Sequence, residues 1–164
     1  MYTNPEKVSI IKTDTYSQSE INSAVNRHFE LLGIDELIKP DMHVVIKPNL
    51  VMKRSPEQAT TTHPSIVRAV IEHLEALGVY DITIAESPGG LYTKPLLKGI
   101  YDSCGMTDAV NGTCAKLNFD TSFEDVECPA ENEVRSFPII TPIKNADFII
   151  SLPKLKTHCM TTLS

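Results

Sequence analysis

The sequence predicts an α/β fold, with a mainly parallel β-sheet flanked by helices on both faces. Short apolar runs typical of strands alternate along the chain with segments whose apolar residues repeat at helical spacing. An alternation of strands and helices indicates right-handed βαβ units and hence a parallel sheet. The 164 residues are expected to form a single domain, because a chain of this length buries roughly two thirds of its unfolded surface.

The first part of the chain contains two predicted strands and a helix. The run KVSIIK at residues 7–12 predicts a strand. Ser17 and Glu20 have the spacing of a capping box at the start of a helix, and Gly33 ends that helix. The run MHVVIK at residues 42–47 predicts the second strand. The apolar face of the helix comprises Ile21, Val25, Phe29 and Leu32.

The middle of the chain repeats this order. Pro48 ends the second strand, because proline cannot continue a central ladder. Pro64 stands where a first helical residue is expected, and apolar residues at helical spacing follow it as far as Gly78. DITIA at residues 81–85 predicts the third strand, and a helix is expected near residues 95–104.

The last part of the chain is richer in strands. Residues 115–119 predict one strand, and residues 146–152 (ADFIISL) predict the final one. Between them, residues 124–128 and 134–140 are expected to pair across the PAEN turn. This pair forms a small β-hairpin insertion near residues 124–140.

Composition excludes some classes of function. The net charge of −6 argues against a nucleic-acid binder, since phosphate binding needs a basic face. No apolar run approaches the ~20 residues that span a bilayer, and the first residues do not have the pattern of a signal peptide. We therefore expect no nucleic-acid or membrane partner and a cytoplasmic location.

The cysteines do not predict a metal site. Cys104, Cys114, Cys128 and Cys159 are widely spaced and include no CxxC pair. Iron–sulfur sites of the ferredoxin type use closely spaced thiolates. The first three cysteines are therefore expected to be unrelated, partly buried thiols, and no residue is assigned as a metal ligand.

Four polar motifs are expected to meet at one edge of the sheet. Three predicted strands end in KPNLV (residues 47–51), ESPGG (residues 86–90) and SLPKLKTH (residues 151–158), and TTTHPS (residues 60–65) precedes a helix. In open parallel sheets, ligands bind beyond the carboxyl ends of the strands. The sequence therefore predicts a ligand site at this rim.

The residue types indicate a small anionic ligand or cofactor. Lysines can neutralise its charge, an asparagine can orient it, and a glycine-containing turn can approach it closely. His63, Glu86 and His158 are the candidates for proton exchange. The predicted binding residues are Lys47, Asn49, Thr62, Ser87, Gly89, Gly90, Lys154 and Lys156.

Structural roles fit several of these residues equally well. Thr62 or His63 can simply cap the helix that begins at Pro64. The SPGG sequence is also typical of a tight turn. A buried lysine needs an acidic partner, so Lys47 and Glu86 can form an ion pair with no catalytic role.

At these motifs the chain resembles the domain-of-unknown-function family 362, whose members are often described as uncharacterised iron–sulfur proteins. The resemblance is carried by KPNLV, TTHPSIVRAVIEHLEALG, ESPGG and ADFIISLPKLKTH, in this order. It implies that residues 1–164 are an incomplete part of a longer protein. It also implies that any iron–sulfur cluster of the intact protein is held outside this segment.

Two functions follow as hypotheses. The first is an enzyme domain that binds a small anionic ligand, with a cluster elsewhere in the intact protein supplying electrons. The second is a non-catalytic ligand-binding or scaffold domain that supports a separate electron-transfer module, which predicts an exposed apolar patch. If the final strand lies inside the sheet, truncation after it exposes apolar surface and favours self-association.

Overall fold

The computed structural model describes residues 7–129, 133–158 and 162–163. Its central element is a four-stranded sheet in the order β3-β2-β1-β6, in which all neighbouring strands are parallel. The strands are β1 (Val44–Pro48), β2 (Ile82–Ile84), β3 (Lys116–Leu117), β4 (Phe123–Glu127), β5 (Ser136–Ile140), β6 (Phe148–Leu152), β7 (Thr157–His158) and β8 (Thr162–Leu163). The predicted α/β class is confirmed.

Five α-helices accompany the sheet in the described residues: α1 (Gln18–Leu32), α2 (Pro64–Ala76), α3 (Lys94–Ser103), α4 (Met106–Val110) and α5 (Thr141–Lys144). Short 3₁₀ helices lie at Ile34–Glu36 and Pro56–Gln58. None of the helices in the described ranges has the length and apolar character needed to cross a membrane.

The two faces of the sheet are covered unequally. Alternate strand residues such as Val44 and Ile46 join the larger core, to which α1 to α4 contribute Ile21, Val67, Leu97 and Met106. The opposite face carries a smaller cluster of Val45, Ala85 and Ile140, with Ile143 of α5 packed against it. Helices therefore lie on both faces, as predicted, and the longer ones share one face.

The first helix forms where its apolar spacing predicts it. Ile21, Val25 and Phe29 are buried along one side of α1, and Gly33 ends the helix in the left-handed region at φ 67°. The predicted capping box is wrong, however. Glu20 accepts hydrogen bonds from the backbone N–H groups of Asp14 and Thr15, because the N–H of Ser17 already donates to the Thr15 hydroxyl.

The second helix begins and ends as predicted. Pro64 is its first residue, and His63 caps it by accepting the Ser65 N–H at Nδ1. After the helix, Gly78 adopts φ +83°, a conformation that favours glycine. The helix that follows β2 is also confirmed, as α3.

The prediction of a strand at residues 7–12 is wrong for this structure. The segment makes no ladder with another described strand, and Val8 and Ile10 are 84% and 91% exposed. A strand requires a paired neighbour as well as suitable residues. Local sequence supplies only the second of these conditions.

The hairpin insertion is confirmed. β4 and β5 are antiparallel, with Phe123 opposite Ile140 and Val126 opposite Phe137. Sequence reasoning missed α4, α5 and the β7–β8 pair, all of which are short. Self-association was predicted on the condition that the final strand lies inside the sheet. β6 instead occupies an edge of the described sheet, so this condition is not met.

Candidate functional site

The strand order reverses between β1 and β6. From β1 the chain moves through α2 to β2 and then through α3 and α4 to β3, always in one direction across the sheet. It then returns through the hairpin and α5 to β6, on the other side of β1. The hairpin and α5 contribute Ile140 and Ile143 to the smaller cluster on the opposite face of the sheet. When the connections that follow two neighbouring strands run to opposite faces of the sheet, a crevice forms between them beyond the carboxyl ends of those strands.

On one side of β1, Glu86 organises the rim. Its side chain is only 6% exposed, and one carboxylate oxygen accepts a hydrogen bond from Lys47 Nζ at 2.8 Å. The same oxygen accepts the Ser87 N–H at 2.8 Å, and the other accepts the Leu50 N–H at 3.0 Å. The structure thus joins Lys47 of the KPNLV motif to Glu86 and Ser87 of the ESPGG motif.

Lys47 is more accessible than its partner. Its side chain is 38% exposed, although its backbone lies in a central strand of the described sheet. The fixed carboxylate of Glu86 holds the ammonium group at the rim.

Thr62 joins three parts of the rim and is 2% exposed. Its hydroxyl accepts the Asn49 N–H at 2.9 Å and donates to the Leu152 carbonyl at 2.6 Å. Its own N–H donates to the Asn49 carbonyl at 3.0 Å. Because both functions of the hydroxyl are used, Thr62 acts as a structural connection between the ends of β1 and β6.

Three nearby polar atoms have no such partners. Asn49 Oδ1, Thr60 Oγ1 and Thr61 Oγ1 are buried without a hydrogen-bond partner among the described residues. Thr61 is 1% exposed, so it resembles Thr62 in residue type and in burial. It differs in lacking the hydrogen bonds to backbone groups that the Thr62 hydroxyl makes.

On the other side of β1, Tyr16 organises the rim. Its ring stacks on His63 with the centroids 3.9 Å apart and an interplanar angle of 13°. Lys154 Nζ donates to the Tyr16 hydroxyl at 3.2 Å and lies 5.7 Å from the ring centroid. We call these three residues the Tyr16 cluster.

Burial disfavours the charged form of His63 and so lowers its pKa, and the positive charge of Lys154 lowers it further. The carboxylate of Glu57 acts in the opposite direction with a smaller effect. In the neutral ring, Nδ1 accepts the Ser65 N–H, so Nε2 carries the proton.

The other predicted residues are less closely connected. Ser87, Gly89 and Gly90 are exposed, and an added Cβ at either glycine would meet nothing within 4 Å. The two glycines therefore do not closely approach another motif in the described chain. Lys156 is half-buried ahead of β7, and the backbone of His158 pairs with Thr162. The His158 side chain and Cys159 lie outside the described residues.

A separate cleft of about 680 Å³ lies beside the start of α2. Among the described residues that line this cleft, His63 is the one that was predicted as a site residue. Its ionisable walls are formed by Glu57, Glu72, Asp102, Asp108 and Arg68. Four carboxylates against one guanidinium repel an anion, so this cleft does not fit the predicted ligand.

The described cysteines behave as ordinary thiols. Cys104 is buried, while Cys114 and Cys128 are half-buried, and none of the three forms a disulfide. Burial raises the pKa of Cys104 and raises that of Cys114 to about 11. Within the described ranges, no cluster of three or more His, Cys, Asp or Glu side chains is arranged to hold a metal ion.

The part of the chain that carries the sheet and most of the rim matches a family recognised by sequence. Residues 44–164 match the family described as Domain of unknown function (DUF362). Because this match covers most of the chain, the protein belongs to that family.

A curated relative is the thylakoid-associated protein sll1697 of Synechocystis sp. (strain ATCC 27184 / PCC 6803 / Kazusa), which is 23% identical over 161 residues. The match covers 97% of this chain and 48% of the relative. The chain therefore spans about half the length of the relative that it matches. No solved structure matches the chain.

The structure thus brings the predicted residues together in two groups rather than one. Lys47, Glu86 and Ser87 form the first group, and His63 with Lys154 belongs to the second. Sequence analysis missed Tyr16, because a single aromatic residue ahead of a helix carries no motif. The one feature of the sequence that could have pointed to Tyr16 is its position just before α1, where the chain reaches the rim.

Proposed function

We propose that this domain binds a small anionic ligand in the crevice beyond the carboxyl ends of β1 and β6. The observation that carries the proposal is the reversal of strand order between these two strands. At such a position the connections diverge to opposite faces of the sheet, and ligands of open α/β sheets bind there.

The lysines support an anionic ligand. Lys47 is the second-last residue of β1, and Lys154 and Lys156 follow β6, in a chain whose net charge is −6. A concentration of basic side chains at one edge of an otherwise acidic protein attracts anions to that edge.

Lys47 is the best placed of the three. An ammonium group has three N–H donors, and Glu86 is the one partner of Lys47 Nζ among the described residues. With the side chain 38% exposed, the remaining donors can turn toward a ligand. Glu86 therefore orients Lys47 and leaves it able to bind.

Any proton exchange at this rim fits His63 better than Glu86. Both oxygens of Glu86 already accept hydrogen bonds, three in total. His63 keeps Nε2 for exchange, because the Ser65 N–H fixes Nδ1. An enzyme built on this domain would thus use Glu86 to position Lys47 and His63 to move a proton.

Calorimetric titration with inorganic phosphate and with acetate tests the binding proposal. Replacing Lys47 or Lys154 by methionine is expected to weaken binding roughly tenfold, the loss of one charge-assisted hydrogen bond. Lys98→Met is the control, because Lys98 lies on α3, is 69% exposed and pairs with Asp102. Equal affinities of all three variants and the unmodified protein, or no binding of either anion, would contradict the proposal.

A scaffold role is the alternative, and the hairpin favours it. Every residue of β4 is exposed, and Val126 and Phe137, which face each other across the hairpin, are 38% and 51% exposed. Exposed apolar pairs of this kind are typical of surfaces that contact another protein. Val126→Ser with Phe137→Ser would lower any concentration-dependent association measured by light scattering, whereas anion binding would not change.

A further inference from the structure

The hairpin formed by β4 and β5 has two outer edges that differ. In an antiparallel pair, the backbone groups of successive residues point alternately toward the partner strand and away from it. The Ser122 carbonyl accepts the Thr141 N–H, and the Cys128 N–H donates to the Arg135 carbonyl. The even-numbered residues of this strand therefore face β5, and the odd-numbered residues of β4 face outward.

The outer edge of β4 is open. Its outward residues are Phe123, Asp125 and Glu127, and no strand pairs with them on that side among the described residues. The outer edge of β5 is interrupted by Pro138, which lies opposite Asp125 and has no N–H to donate. Because proline is one of the means by which proteins protect an edge strand, a further strand can add to β4 more readily than to β5.

The two faces of the hairpin differ as well. Residues directly opposite each other in the pair lie on the same face. Val126 and Phe137 share one face, and both are exposed. Asp125 and Glu127 lie on the other face and are also exposed. A strand added at the outer edge of β4 thus meets an apolar side chain on one face and carboxylates on the other.

The hairpin lacks a core of its own. Every residue of β4 is exposed, and Ile140, at one end of β5, is the one buried residue of these two strands. Two-stranded hairpins without further packing are marginally stable in water. A third strand would therefore stabilise β4 and cover its outer edge.

Charge indicates which kind of strand fits this edge. Residues 120–133 include six acidic residues and no lysine or arginine. Lys144 pairs with Glu124, which lies on the same face as Val126. A second copy of β4 would bring carboxylates against carboxylates, and like charges opposite each other destabilise a strand pair. A basic strand would instead place opposite charges at these positions.

We propose that the outer edge of β4 binds an extended basic segment of another protein, which adds to the hairpin as a third strand. Main-chain hydrogen bonds to the outward residues supply affinity in this mode of binding, and alternating side chains supply specificity. Lysine or arginine on one face of the segment would meet Asp125 and Glu127, and apolar residues on its other face would meet Val126. The proposal rests on the scaffold role of the hairpin and does not depend on the anion crevice.

Fluorescence anisotropy with labelled synthetic peptides tests the proposal. In a strand, KVKVKVK carries lysine on one face and valine on the other, and it is expected to bind. EVEVEVE reverses the charge, and KKKKVVV keeps the composition of KVKVKVK without the alternation. Both are expected to bind at least roughly tenfold more weakly, because like charges or unmatched faces meet the hairpin. Failure of KVKVKVK to bind, or equal binding of all three peptides, would overturn the proposal.

A charge exchange locates the contact on β4. The double variant Asp125→Lys with Glu127→Lys is expected to bind EVEVEVE in preference to KVKVKVK. Glu36→Lys with Asp41→Lys is the control, because both residues are exposed outside the hairpin and the net charge changes by the same amount. The control is expected to keep the preference for KVKVKVK. The same preference in both double variants would mean that overall charge rather than β4 selects the peptide, which would contradict the proposal.

Amide hydrogen exchange identifies the edge that is used. With KVKVKVK bound, exchange is expected to slow at Phe123, Asp125 and Glu127 and to stay unchanged at Ser136 and Ile140. Protection at the β5 edge, or protection at neither edge, would overturn the proposal. Phosphate titration of the same protein separates this proposal from the anion crevice. If phosphate binds and KVKVKVK does not, the crevice stands and docking at the hairpin is wrong.

Discussion

β1 separates two sides of the rim that are built in different ways. On the β2 side, the Glu86 carboxylate is 6% exposed and holds Lys47 and two backbone N–H groups. On the β6 side, the Tyr16 cluster consists of partly exposed side chains held by one stacking contact and one hydrogen bond to Lys154. Each arrangement keeps a lysine at the rim.

The Glu86 side therefore holds Lys47 in a fixed position, whereas the Tyr16 cluster can change with pH or with a bound ligand. A buried, fully bonded carboxylate cannot change its partners without destabilising the protein, so the Glu86 side is rigid. A half-buried histidine can change its charge, and a half-buried lysine can change its contacts, at small cost. We therefore expect substitutions on the Glu86 side to act on stability, and those in the Tyr16 cluster to act on pH dependence and binding.

The largest expected effect is that of Glu86→Ala. The substitution leaves the Leu50 and Ser87 N–H groups without their acceptor and breaks the pair with Lys47, which together costs about 3 kcal/mol in the free energy of unfolding. Glu124→Ala is the control, since Glu124 is 52% exposed and pairs with Lys144 on the surface, where such pairs contribute less than about 1 kcal/mol. Urea unfolding of both variants measures the difference, and equal losses would mean that the two sides of the rim do not differ as described.

A smaller effect is expected at Thr62, which connects the two sides. Thr62→Val removes a hydroxyl that accepts from Asn49 and donates to Leu152, and is expected to cost about 2 kcal/mol. Thr61→Val is the matched control, because the buried Thr61 hydroxyl has no nitrogen or oxygen partner among the described residues and meets only the weakly bonding Cys104 thiol. Its replacement is expected to leave the urea midpoint unchanged or to raise it. A Thr61 variant as unstable as the Thr62 variant would show that burial rather than hydrogen bonding determines the loss.

The smallest effect is the pH dependence due to His63. Burial lowers its pKa in the folded protein below the ordinary histidine value of about 6.5. The unfolded chain therefore binds more protons in the interval between the two values, and stability falls as the pH decreases below about 6.5. His63→Asn keeps a capping acceptor for α2 and removes this titration. Thermal unfolding between neutral and mildly acidic pH should fall less steeply for the variant, and parallel curves would exclude His63 as the source.

Much of the fold could be predicted because it depends on local patterns. The buried stripe of α1, Pro64 at the start of α2 and the hairpin near residues 124–140 each carry a signal within a short stretch of chain. Residues 7–12 show the limit of this reasoning. Their composition is that of a strand, but pairing depends on a neighbour that is distant in sequence.

The site was predictable in outline for a similar reason. The carboxyl ends of parallel strands meet at one edge, so Lys47 and Glu86 could be assigned to each other from their strand positions. The division of the rim into two groups could not be predicted, because it depends on which side chains reach across β1. Tyr16 was missed, since its role comes from a ring contact with His63.

The most direct test of the account is the location of the bound anion. Backbone amide shifts in a phosphate titration are expected to change first at Lys47, Asn49 and Lys154, on both sides of the point where the strand order reverses. The amides of Asp102 and Asp108, in the acidic cleft beside α2, are expected to stay constant. Shifts concentrated at the cleft, with none at the ends of β1 and β6, would contradict the account.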